Sequence, residues 1–200
     1  MIELDQRYSL NQSLDSDFAE SCSCLPKPLL AEMSRVESEP TPERRLEGLS
    51  LSLIPMTFQY LGLILSGEYL ASISDPDHDV ADSLRNMVRR PGPGKWVDFI
   101  RRATSYFSDT PPRVLTQQAM KEFRLLLPSD KHPQVRTFDE DPKGKRIHYV
   151  DALVNLRNRY AHSPRRTAKN AAEVFSDYFS LYRAVLLHLR HSFDSVPLID

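Results

Sequence analysis

Glycine is scarce, with six residues in a chain of 200. So few glycines argue against a Gly-rich phosphate loop and against sheets joined by many tight turns. Cysteine is scarcer still, confined to Cys22 and Cys24. Two thiols make neither a disulfide framework nor a complete structural zinc site. Ordinary reduced thiols are expected there, and no metal or cofactor is expected. No uninterrupted run of about 18 apolar residues occurs, so no membrane span is expected. The start, Met1-Ile2-Glu3-Leu4-Asp5, lacks the basic and apolar regions of a secretory signal, and a cytoplasmic location is the expectation. Net charge is nearly absent as well, with 26 Lys+Arg against 27 Asp+Glu, which excludes a polyelectrolyte signal carried by the whole chain.

What is present is unevenly spread. Residues 1–47 hold ten acidic and five basic side chains. Residues 143–169 hold Lys143, Lys145, Arg146, Arg157, Arg159, Arg165, Arg166 and Lys169 against Asp151 alone. Residues 85–102 add Arg85, Arg89, Arg90, Lys95, Arg101 and Arg102 against Asp98. An acidic front thus precedes two basic blocks. Such blocks suit an anionic partner, although any one of them also reads as a solvated helix face.

Fifteen prolines punctuate the chain. Residues 1–40 are rich in Ser, Asp, Glu and Pro and read as a weakly structured arm that packs partly onto the core, extended across Leu25-Pro26-Lys27-Pro28-Leu29. Residues 41–200 form the domain. Thr41 and Pro42 suit the N-cap and first position of a helix that carries Leu46, Leu49, Leu53, Phe58, Leu61, Leu65 and Tyr69. Pro55 should kink it. Asp79–Arg90 reads as a polar helix, and Pro91-Gly92-Pro93-Gly94 as a break. A helix with Trp96, Phe99, Ile100, Ala103 and Phe107 comes next, then another over Val114–Leu127. Around Asp141-Pro142-Lys143-Gly144 a small hairpin near 135–149 and a plain loop are equally open. Helices over Tyr149–His162 and Ala168–Phe193 close the chain. The expected fold is all-α, a bundle of about five to seven helices.

The helix 151–162 carries the most chemistry. Leu153, Leu156 and Tyr160 anchor it, while Arg157, Asn158, Arg159 and His162 gather near its end. Arg157-Asn158 followed after four residues by His162 resembles the R-x4-6-H motif of HEPN domains, small helical bundles found in RNase toxins and defence proteins. Glu68-Tyr69-Leu70, Gly94-Lys95-Trp96 and Leu153 to Asn158 extend the likeness to HEPN-like modules of larger bacterial proteins, over residues 41–193. The resemblance implies a metal-independent endoribonuclease of bacterial defence or of a toxin system, working as a homodimer whose two motifs line one cleft. It also implies RNA, an antitoxin, or a fused or associated effector as partner.

The residue types suit that chemistry. RNA is cut without metal when its own 2′-hydroxyl attacks the adjacent phosphate, given a proton acceptor, a proton donor and positive charge on the phosphoryl oxygens. His162 is the candidate acid/base and Arg157 the phosphate clamp. Asn158 is placed to orient His162, about 40° away on an ideal helix. Arg159, Arg165 and Arg166 are candidates for holding the RNA backbone. The offset of five from Arg157 to His162 is about 140° on a regular helix, so one copy converges only if the helix loosens before Pro164 or the long arginine curls round. The alternative is a non-catalytic dimerisation, sensing, or RNA- or partner-binding module. A pure scaffold, pairing its basic blocks with its own acidic arm, is a third reading.

Other features have plainer readings. Asp75, Asp77 and Asp79 around His78 lack the glycine and closing glutamate of a calcium loop. His188 and His191 share a helix face. Trp96, Tyr106, Phe99 and Phe107 are placed either to stack bases or to fill the core, and the core is the commoner use of such spacing.

Overall fold

The computed structural model describes residues 25–72, 76–127, 134–136, 146–162 and 171–194. Helix α1 (Lys27–Ser38) is followed by α2 (Pro42–Gly48), a wide π turn (Leu49–Leu53) and α3 (Ile54–Ser72). Then come α4 (His78–Arg89), α5 (Pro93–Asp109) and α6 (Gln117–Arg124). Strands β1 (Gln134–Arg136) and β2 (Arg146–His148) pair antiparallel with Val135 opposite Ile147, which makes the small hairpin real. Helices α7 (Tyr149–His162), α8 (Ala171–His188) and the short α9 (Arg190–Asp194) complete an all-α bundle.

The α2–α3 run is the core helix. Leu46, Leu53, Phe58, Leu61 and Leu65 are almost wholly buried. Its stretch Pro42–Ser72 is long and apolar enough to cross a bilayer, but 56% of its most apolar window is buried inside the bundle. Pro55 lacks an N–H and would crowd the carbonyl four residues earlier. The chain accommodates it with the π turn immediately before, where the Ile54 N–H reaches back to the Leu49 carbonyl. The helix therefore continues past Pro55 rather than splitting into two.

The N-terminal arm differs from expectation. Instead of an extended segment at Leu25–Leu29, a helix starts at Lys27 with proline in its first turn. Proline is tolerated there because the first N–H groups of a helix have no partner anyway. Leu29, Met33 and Val36 recur at helical spacing, and the three are buried in the common core. Cys22 and Cys24 lie outside the described residues, as does Asp75. Asp77 caps α4, accepting the Val80 N–H at 2.9 Å, so it serves a helix rather than a cation.

Two buried carboxylates explain where other helices stop. Glu68 accepts the backbone N–H groups of Arg113, Val114 and Leu115 and the Ser72 hydroxyl. That fixes 113–115 outside a helix, so α6 begins at Gln117, capped by Thr116, rather than at Val114. Glu122 accepts from the Ser192 N–H at 2.8 Å and hydroxyl at 2.9 Å. The last helix accordingly ends at His188 and α9 turns back toward α6. Between α3 and α8, the Thr57 and Tyr182 hydroxyls pair at 2.7 Å, and burial raises the Tyr182 phenol pKa.

Burial alone would raise the Glu68 pKa, but its backbone N–H bonds and Ser72 outweigh that and lower it. A depressed carboxylate stabilises above its ordinary 4.5, and the benefit fades as pH falls through the folded-state value. Glu68→Gln leaves an amide facing those donors and should cost about 2–3 kcal/mol in urea unfolding at pH 7. The gap between wild type and variant should narrow as pH drops below 4.5. A gap independent of pH would contradict an ionised Glu68.

Candidate active site

Helix α7 follows β2 without a linker and is held rigidly at its start. Tyr149, Val150, Ala152, Leu153 and Leu156 form its buried face. The Tyr149 hydroxyl donates to the Leu125 carbonyl at 3.0 Å, and burial pushes its pKa up to about 12. His148 Nε2 lies 3.2 Å from that same carbonyl; a carbonyl only accepts, so Nε2 carries the hydrogen. Arg101 of α5 donates from Nε to the Leu126 carbonyl and from Nη1 to Asp151 Oδ1, each at 2.9 Å. Three elements thus meet at one guanidinium.

The helix stays regular through His162. Within α7 no loosening occurs, and the separation of about 140° between the Arg157 and His162 positions stands in one copy. Arg157 is half-buried, and its Nη1 donates to Asn158 Oδ1 at 3.2 Å. Its Nε is buried without a hydrogen-bond partner. An unmatched guanidinium donor is costly where it stands, and because this one is closed to solvent an anion reaches it only if the side chain moves. The structure gives Asn158 a bond to Arg157 rather than the expected one to His162. Arg159 is exposed yet tied to α8, its Nη2 donating to the Tyr178 hydroxyl at 3.0 Å. His162 is exposed on the last turn. Arg165 and Arg166 lie outside the described residues.

What lies against each flank of the motif helix was not visible in the sequence. Tyr160 is half-buried, and its pKa is raised by burial and then by Glu47 and Glu43 of α2. Its flank of α7 therefore faces carboxylates. On the other flank, a methyl added to Gly94 at the start of α5 would sit 3.9 Å from Val154 Cγ1. Trp96, Phe99 and Phe107 are buried and Tyr106 half-buried, so these rings fill the core rather than offering faces to bases. Among the described residues no cluster of three or more His, Cys, Asp or Glu is placed to hold a metal ion.

No protein-family model matches the chain, and neither a curated protein nor a solved structure does. The functional reading thus rests on the residues themselves.

Proposed function

We propose that the chain is a metal-independent endoribonuclease of the HEPN type, acting as a homodimer. The observation that carries this reading is the end of α7, where a half-buried Arg157 with an unmatched Nε, its partner Asn158 and an exposed His162 lie within six residues. In the reaction His162 takes the proton from a ribose 2′-hydroxyl. The 2′-oxygen attacks the neighbouring phosphorus, the bond to the 5′-oxygen breaks, and the proton passes to that oxygen. The products are a 2′,3′-cyclic phosphate and a 5′-hydroxyl. Arg157 supplies positive charge to the phosphoryl oxygens as they gain charge. Because the two side chains diverge on one helix, each site joins Arg157 of one copy to His162 of the other.

Two observations favour a second reading, a binding module without cleavage. Arg159 has a protein partner and the Arg157 Nε is shielded, as in a helix end that only satisfies itself. The two readings separate on purified protein. The nuclease reading expects cutting of single-stranded RNA in EDTA, ends bearing cyclic phosphate, and a dimer of about 46 kDa by light scattering, twice the 23.0 kDa chain. A dimer that binds RNA and leaves it whole would establish the second reading instead.

A further inference from the structure

We propose that the α4–α5 turn, through Arg89, Arg90 and Lys95, is a track for the phosphate backbone of single-stranded RNA that leads to Arg157 and His162. This rests on the nuclease reading above and names the surface by which the substrate would be held.

The six cations of residues 85–102 are not equivalent. Arg85 pairs with Asp82, Arg101 with Asp151 and Arg102 with Asp98. Arg89, Arg90 and Lys95 are exposed, and among the described residues none has an ion-pair or side-chain hydrogen-bond partner. No Asp or Glu occurs from Ser83 to Val97. Three uncompensated charges therefore cluster on one turn. Solvated cations cost little as they stand, but a polyanion gains by releasing counterions against them.

Two contacts fix where the turn lies. Gly94 abuts Val154, and Arg101, two turns further along α5, bonds to Asp151, one turn earlier on α7. The contacts run in opposite chain order on the two helices, so the N-terminal end of α5, where Lys95 sits, lies on the C-terminal side of Asp151 along α7, and the turn with Arg89 and Arg90 leads directly into it. Direction around α7 agrees. On a regular helix Val154 points about 60° from Arg157 on one side and about 80° from His162 on the other. Gly94, next to Lys95, thus borders the sector between the two motif side chains. The opposite flank, at Tyr160, faces Glu43 and Glu47 and repels phosphate. Direction of approach is set by that asymmetry.

The test uses the full chain and a fluorescein-labelled 20-mer of 2′-O-methyl RNA, which lacks the attacking hydroxyl. Affinity is read by anisotropy between 50 and 300 mM NaCl, roughly the range over which phosphate contacts dominate. Replacing Arg89, Arg90 and Lys95 together with alanine should weaken binding at least about tenfold at low salt. It should also reduce the log–log salt slope by about two, at 0.7 per phosphate lost. Replacing the paired Arg85 and Arg102 should change the slope much less. Wild-type binding with an unchanged slope in the triple variant would overturn the track and leave the nuclease reading standing. Equal competition by a duplex of the same length would overturn the single-strand assignment. No binding of RNA by the wild type would overturn both.

Discussion

Alanine at His162 is expected to lower RNA cleavage by roughly 10²–10⁴-fold, the usual worth of a positioned acid/base. Thermal unfolding should hardly change, because the side chain is exposed on the last turn of α7 and surface changes of this kind stay within about 0.5 kcal/mol. Arg157→Ala should lose activity by about 10²–10³-fold, as expected when a donor to developing charge is removed. Arg157→Lys discriminates charge from geometry. Lysine keeps the charge but lacks the planar fork, so most of the activity should stay lost. The assay is single-turnover cleavage of a labelled single-stranded RNA in EDTA. Retained cutting in His162→Ala would reject its role.

The second large effect concerns the packing that positions α5 against the core. Gly62 of α3 lies under the Trp96 ring, and an added Cβ would fall 2.2 Å from its Cε3 atom. Trp96 is only 7% exposed and cannot simply swing out. Overpacking of this kind costs about 3 kcal/mol, whereas alanine returns about 1 kcal/mol of helix propensity. Gly62→Ala should therefore destabilise by a net of about 2 kcal/mol in urea unfolding. Gly67, five residues on in the same helix, is exposed and has nothing within 4 Å of the corresponding position. There the same substitution should stabilise by about 0.5–1 kcal/mol, through propensity alone. Equal effects at both sites would mean that α3 and α5 do not pack as described.

Much of the architecture was legible because it is local. The helical recurrence of Leu153, Leu156 and Tyr160 marks α7 to its observed ends, whereas the hairpin near 135–149 is no better signalled than a loop and its register comes from the structure alone. What was misread depended on distant partners. Nothing near Val114 signals that Glu68, more than forty residues earlier, holds its N–H group out of a helix. Likewise Glu122 decides the fate of Ser192. The helix at Lys27 is hidden for a different reason. Pro26 and Pro28 signal extension locally, while the Leu29, Met33, Val36 stripe that packs on the core reports a helix whose first turn tolerates proline.

The candidate site was legible as a list of residues but not as an arrangement. The sequence placed Arg157, Asn158 and His162 at a helix end, and they are there. It did not show that Arg157 and Asn158 bond to each other, that Tyr178 holds Arg159, or that the two flanks of α7 differ in charge. Those facts come from α2, α5 and α8, each far away in the chain. The angular divergence of Arg157 and His162 was calculable, and the regular helix keeps it. The proposed site shared between two copies would make use of it.

Co-expression of the Arg157→Ala and His162→Ala chains tests that arrangement directly. Half of the randomly paired dimers are then mixed, and each holds one site with both an intact arginine and an intact histidine. With neither variant cutting RNA alone, the mixture should recover about a quarter of wild-type activity, as expected for two symmetric composite sites. A mixture as inactive as either variant, although dimers form, would contradict a site built from both copies.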